Sequence, residues 1–198
     1  MSTLSYFVCR ENILLIRNRD TRIRKLDDPN GEFSALILAS AGLIRLGLEH
    51  RISSRLDSAK FPYAVGQGAL GIEVRKGDTR ILELLGNIAH VETRWVCLAE
   101  RSLLRQLQGG CSSPVGVSSS IFEEERVGGK RKIIKLEAIV VHPDGLKDVQ
   151  ASFVMEVGCD EDAEDLGKRV AGILVDEGAG EILEGIRAAG QARRGTDF

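Results

Sequence analysis

Up to about residue 110 the apolar residues gather in short runs or recur at three- and four-residue spacing, and from about 115 to 157 they take a strand-like pattern before helical spacing returns. Residues 34–39, Ser-Ala-Leu-Ile-Leu-Ala, form an apolar run between Gly31 and Gly42, short enough for a buried strand of a parallel or mixed sheet. Leu43, Arg45 and Leu46 predict a helix over 41–48 directly after it, a strand-to-helix junction of the kind at which α/β proteins hold ligands. Residues 65–74 place Gly66, Gly68 and Gly71 ahead of Ile72-Glu73-Val74, a glycine-rich turn opening onto a strand. The string Gly66-x-Gly68-x-x-Gly71 has the letters of a dinucleotide fingerprint, but that fingerprint follows a strand and opens a helix, whereas these glycines precede a strand. Helices are predicted over 78–89 and 93–108, the latter with Val96, Ala99, Leu103 and Leu107 on one face. Strands follow over 115–122, 133–141 and 149–157, joined by turns at Gly128-Gly129 and His142-Pro143-Asp144-Gly145. Helical spacing returns over 162–177 through Leu166, Val170 and Leu174, with Gly178 as its stop, and a last short helix over 181–189 leads into a polar tail, 191–198. The expected fold is a partial α/β domain followed by a C-terminal α+β domain with a three-stranded antiparallel sheet and helices.

Composition narrows the classes of function. In 198 residues, 43% hydrophobic and 28% charged content is ordinary for a globular protein, and no apolar run approaches the ~18 residues of a membrane span. A formal charge of −2 offers no electrostatic ground for a nucleic-acid or membrane partner. The first residues lack the basic start, long apolar stretch and small-residue cleavage site of a secretory signal, so a cytoplasmic chain is expected. Cys9, Cys97, Cys111 and Cys159 are scattered without a C-x-x-C, and His50, His90 and His142 are equally dispersed, so neither a metal site nor a disulfide framework is expected. His142 reads as a solvated turn residue.

The segment Leu107-Gln108-Gly109-Gly110-Cys111-Ser112-Ser113-Pro114-Val115 carries the most chemistry. It sets one thiol on a glycine turn between a helix and a strand, and Pro114 stiffens the exit. Two readings stand: a presented, tethered or reactive cysteine, and a small thiol buried at a tight turn.

Residues 103–117 resemble the cofactor-attachment motif of the porphobilinogen deaminase (hydroxymethylbilane synthase) family. Three further segments are similar to that family in the expected order: Thr21-Arg22-Ile23-Arg24-Lys25-Leu26-Asp27, its substrate-binding arginine segment; residues 35–47, its strand-to-helix junction; and residues 64–75, its interdomain signature. The wording around Asp27-Asp28-Pro29 and Arg75-Lys76-Gly77-Asp78 looks fungal. The resemblance implies an enzyme that joins four porphobilinogen molecules head to tail, with loss of ammonia, into hydroxymethylbilane for haem synthesis. Its primer is a dipyrromethane cofactor in thioether linkage to the motif cysteine, here Cys111. Each pyrrole bears an acetate and a propionate, which bidentate arginines suit. Arg22 is the firmest such arginine. Ala39, through its backbone, and Gln67, near the domain junction, match positions facing cofactor or substrate; a packing residue and a turn residue are their alternatives.

The family reads Arg-Gly-Asn-x-x-Thr-Arg where this chain reads Arg17-Asn18-Arg19-Asp20-Thr21-Arg22, one residue short, so either Arg17 or Ile16 takes the place of the first substrate arginine. The implied organisation is an unmatched segment, 1–15; part of a periplasmic-binding-protein-like second domain, 16–66; a segment returning to the family's first domain, 67–89; the cofactor-attachment domain, 90–190; and the tail, 191–198. The family's first domain, with the Lys-Asp-x-Pro catalytic aspartate and the Ser-Ser-x-Arg-Arg segment, is not matched. Lys147-Asp148-Val149-Gln150 imitates the former but lacks the proline and falls in a predicted hairpin. No catalytic residue is therefore assigned within this chain, and very low or no activity of the isolated polypeptide is expected. The alternative is a non-catalytic fragment or a module binding tetrapyrroles or a partner. The implied partners are porphobilinogen and the growing pyrrole chain, with no nucleic acid or membrane, and a full-length protein would be a monomer.

Overall fold

The computed structural model describes residues 4–5, 19–31, 33–58, 60–108, 113–126 and 129–194. The chain divides into two compact units, Met1–Phe61 and Pro62–Phe198.

In the first unit, helix α1 spans Arg19–Asp27, and strands β1 (Leu4–Ser5) and β2 (Leu38–Ala39) pair antiparallel, Leu4 opposite Ala39 and Ser5 opposite Leu38. The apolar run at 34–39 was expected to be one buried strand; only its last two residues join a ladder, while Ala35 and Leu36 are buried without strand geometry and Ile37 is exposed. A strand persists only as far as a neighbouring backbone pairs with it, and among the described residues that neighbour is two residues long. Helix α2, Ser40–Arg45, stops short of the expected Leu48. Gly47 turns left-handed at φ +72° and the Leu48 N–H returns to the Leu43 carbonyl at 2.9 Å, a Schellman closure that a glycine accepts without strain. A 3₁₀ turn follows at Glu49–Arg51, and the Arg51 guanidinium grips Asp27 of α1 at 2.5 and 3.3 Å.

The second unit opens with Tyr63, whose backbone exchanges two 2.8 Å hydrogen bonds with Val117. The strand expected at the end of 65–74 is absent: residues 69–75 have no ladder partner among the described residues, and Leu70 and Ile72 are 91% and 60% exposed. Extended, alternating residues become a strand only when another edge satisfies their amides. Helix α3, Thr79–Gly86, is capped by Asp78, whose Oδ1 accepts the Ile81 N–H at 3.1 Å, and buries no residue. Helix α4, Val91–Gln106, is capped by His90, whose Nδ1 accepts the Thr93 N–H at 3.2 Å.

Strands β3 (Val115–Arg126), β4 (Gly129–Val141) and β5 (Asp148–Glu156) form the expected antiparallel sheet in the order β3-β4-β5. The loop residues 127–128, including Gly128 of the expected turn, lie outside the described residues. The His142–Gly145 turn forms as expected, with the His142 N–H on the Lys147 carbonyl at 2.8 Å and Gly145 at φ +73°. Register puts Val117 opposite Ala138, Leu136 opposite Phe153 and Val140 opposite Val149, so one face of all three strands points inward. Helix α5 (Asp160–Asp176) and α4 cover that face, α4 with the expected Ala99, Leu103 and Leu107, α5 with Leu166, Val170 and Leu174, all buried. The acidic first turn of α5 suits the positive end of its dipole. Gly178, at φ +97°, ends α5, and α6 then runs Ala179–Arg194. The predicted tail is thus helical as far as Arg194, because Ala188, Ala189, Gln191 and Ala192 are strong helix formers that extend the apolar-anchored first turns.

Leu136, fully buried at the centre of β4, measures how far this core holds the unit together. Leu136→Ala is expected to lower unfolding stability by about 2–5 kcal/mol, read from urea denaturation followed by Trp95 fluorescence. A loss under about 1 kcal/mol would mean that the unit is not cooperatively packed.

Candidate functional site

In the first unit, Arg22 lies on α1 with Ile23 and Leu26, three half-buried residues on one helix face. Its Nε is buried and has no hydrogen-bond partner among the described residues. A buried guanidinium N–H without an acceptor costs free energy comparable to a lost hydrogen bond, so such an atom marks a place where an anion would be welcome. The neighbouring cations are engaged locally: Lys25 sits 5.7 Å over the Phe33 ring, and Arg24 reaches Thr21 at 3.5 Å. Ala39 closes β2 and is the N-cap residue of α2, half-buried, with backbone φ −68° and ψ 117°. The α1 helix was not among the expected elements, because Ile23 and Leu26 are its only apolar residues and give too short a period to register.

In the second unit, Gln67 is exposed at the crown of a turn between two left-handed glycines, Gly66 at φ +70° and Gly68 at φ +82°. The turn is closed by the Gln67 N–H on the Ala64 carbonyl at 3.0 Å and fastened below by Glu100 of α4. Glu100 is 1% exposed, and three donors converge on its carboxylate: the Gly66 N–H at 2.7 Å, the Ser119 hydroxyl at 2.7 Å and the Tyr63 hydroxyl at 3.3 Å. The Tyr63 oxygen accepts the Ser119 N–H at 2.9 Å, completing a network among the glycine turn, α4 and β3. Burial raises the Glu100 pKa despite these three donors, and burial together with the Glu100 charge raises that of Tyr63. With its folded value raised, Glu100 supports folding most below the ordinary carboxylate range, and that contribution is lost as pH rises through the folded value.

Glu100, Tyr63 and Ser119 were not picked out in the sequence. A signal existed: Val96, Glu100, Leu103 and Leu107 share helical spacing, and a carboxylate on an apolar stripe needs partners. Cys97 is half-buried, and burial followed by the Glu100 charge raises its pKa, which leaves it a poor nucleophile. At the C-terminus of α4, Gln108 adopts φ +50°, rare for a residue with a side chain, and its Oε1 accepts from Arg187 of α6 at 2.9 Å. That pair holds the chain at the step before Gly109.

Arg17 and Cys111 lie outside the described residues, as do Gly109, Gly110 and Ser112. Arg22 and Ala39 belong to the first unit and Gln67 to the second. Asp148 opens β5 on the surface, bonded to the Gln150 amide at 2.9 Å, as a strand-edge residue should be.

The second unit is of the α+β class, a three-stranded antiparallel sheet backed by helices, and a buried carboxylate fastens a glycine turn to the helix that leads toward Cys111. Residues 10–83 match the family model described as porphobilinogen deaminase, dipyromethane cofactor binding domain, and residues 95–176 match porphobilinogen deaminase, C-terminal domain. Among curated relatives, the porphobilinogen deaminase of Debaryomyces hansenii is 48% identical over 169 residues, 85% of this chain and 45% of that protein. That of Candida albicans is 49% identical over 169 residues, 85% and 47% of the two chains, and that of the bacterium Desulforudis audaxviator 47% over 171 residues, 86% and 51%. The chain belongs to the porphobilinogen deaminase family, and it spans about half the length of the curated relatives it matches.

Proposed function

We propose that this chain carries the cofactor-bearing and part of the pyrrole-binding machinery of a hydroxymethylbilane synthase, which condenses four porphobilinogen molecules head to tail with release of ammonia. The observation that carries this reading is the buried Nε of Arg22, without a partner among the described residues, in the segment that resembles the family's substrate arginines. An arginine left with an unused donor fits the acetate and propionate of a pyrrole, which accept paired N–H bonds. The same donor fits a dipyrromethane, so the residues present suit the cofactor that the matched family model names. When bound, the cofactor supplies a nucleophilic pyrrole carbon at which chain growth starts. Cys111 would hold it as a thioether, Arg22 and Arg17 would hold carboxylates, and the Ala39 backbone and Gln67 would face the pyrroles.

In this reading residues 16–66 are part of a periplasmic-binding-protein-like domain. The exposed Leu70 and Ile72, and an α3 with no fully buried residue, support a role for 67–89 as a segment that pairs with a sheet in the portion of the family outside this match. The chain contains no Lys-Asp-x-Pro string, so turnover by these 198 residues alone should be very low or nil. A second reading, a non-catalytic module that associates through its apolar surface, is favoured by the same exposed residues, Leu70 at 91% and Ile88 at 71%. A cytoplasmic monomer is the form proposed for the complete protein.

Intact-mass measurement after expression tests the assignment. The expected result is an increment of two linked pyrrole units that disappears in Cys111→Ser. An unmodified mass in the unaltered chain, or an increment that survives the substitution, would overturn the attachment.

A further inference from the structure

We infer that Glu100 is a positioning residue for the pyrrole site, acting through the Gly66 amide to hold the turn that presents Gln67. The inference rests on the reading of Gln67 as a residue facing the pyrroles, and it extends the site to a side chain that no motif marked.

Three features of the structure carry it. First, Glu100 is nearly inaccessible, yet its carboxylate reaches the backbone of an otherwise exposed turn: Oε2 accepts the Gly66 N–H at 2.7 Å. A charged group is costly to bury, so a carboxylate kept at a helix position otherwise suited to an apolar residue has a task that an apolar side chain could not perform. Second, the turn is conformationally committed. Gly66 and Gly68 both lie in the left-handed region, at φ +70° and +82°, and Gln67 between them is exposed. The Ala69 N–H on the Gly66 carbonyl at 3.2 Å closes the far side, so fixing Gly66 fixes the direction of Gln67. Third, the remaining carboxylate oxygen is itself held. Oε1 accepts from Ser119 at 2.7 Å and from Tyr63 at 3.3 Å, and Tyr63 accepts the Ser119 N–H, which ties the carboxylate to strand β3. The anchor is therefore rigid against α4 and the sheet, while the residue it orients faces solvent. A bond made only to support the fold would have no need to end on a surface turn between two glycines.

A merely structural role and a positioning role differ in how they couple to Gln67. Porphobilinogen is the probe, its affinity for the 198-residue chain measured by isothermal titration. Gln67→Ala should weaken binding roughly tenfold, the loss of about one hydrogen bond. Glu100→Ala should weaken it by a similar factor, Glu100→Gln, which keeps an acceptor for Gly66, should restore most of it, and the double variant Glu100→Ala with Gln67→Ala should be no worse than either alone. Factors that multiply in the double variant, or affinity unchanged in a folded Glu100→Ala, would overturn the proposal.

Should Glu100→Ala fail to fold, hydrogen exchange of the unaltered chain decides. The Gly66 amide must be protected well beyond that of an open turn, and exchange at the unprotected rate overturns the proposal. If the unaltered chain binds no porphobilinogen, the functional reading fails separately, and protection of the Gly66 amide still decides whether Glu100 holds the turn.

Discussion

Gly167→Ala is expected to destabilise the second unit by about 3 kcal/mol or more. A Cβ at residue 167 would stand 2.1 Å from the Ala99 carbonyl oxygen, 2.8 Å from the Leu103 nitrogen and 2.8 Å from the Ser102 Cβ. These neighbours belong to α4, and two of them are backbone atoms that no rotamer change can withdraw. Alanine in a helix interior gains up to about 1 kcal/mol over glycine, so the clash must exceed that gain for the sign to hold. It does, because relief requires α4 and α5 to separate. Their contact is stitched by the Ser102 hydroxyl on the Glu164 carbonyl at 2.8 Å and by Arg105 with Glu164 at 2.9 Å, and both bonds would be stretched. Urea denaturation should show a large fall in midpoint with little change in slope. A variant as stable as the unaltered chain would mean that α4 and α5 are not in close backbone contact at Gly167.

Arg22→Met should act on stability and binding in opposite directions. Removing the buried, unpartnered Nε relieves an unsatisfied donor worth about 1–3 kcal/mol, and methionine retains much of the side chain's apolar length. The first unit should therefore be as stable as before or more so. Binding should suffer: charge-assisted bonds to a carboxylate are worth about 1.5–3 kcal/mol, so porphobilinogen affinity should fall roughly 10- to 100-fold. Thermal unfolding and isothermal titration on the same preparation separate the two effects. A loss of stability with unchanged affinity would make Arg22 a packing residue. The pairing of a stability gain with a binding loss is the usual mark of a residue retained for a ligand.

The second unit was the more legible in the sequence, for reasons that particular residues show. Ile134, Leu136, Ala138 and Val140 alternate strictly, and Leu166, Val170 and Leu174 keep helical spacing, because each element buries one face against another part of the same unit. Turn chemistry was equally readable at His142–Gly145 and at Gly178, where only local backbone geometry is at stake. The first unit was read less well. The run at 34–39 has the composition of a strand, but a two-residue partner leaves most of it outside any ladder, and α1 has too few apolar residues to announce itself. Residues 69–75 show the same limit: their strand pattern is plain, and the edge that would complete it is not among the described residues.

By itself the sequence determined the family, the three antiparallel strands and their covering helices, and Cys111, Arg22, Ala39 and Gln67 as the residues on which to look for a site. Those inferences rest on local periodicity and on ordered motifs, which are properties of the chain read in line. The tertiary structure alone decided that the Arg22 Nε is buried without an acceptor among the described residues, that Gly167 lies against the α4 backbone, and that Glu100 reaches the Gly66 amide 34 positions away along the chain. Each depends on which distant atoms come within a few ångströms of one another, and that follows from how the elements pack rather than from the spacing of residues along any one of them.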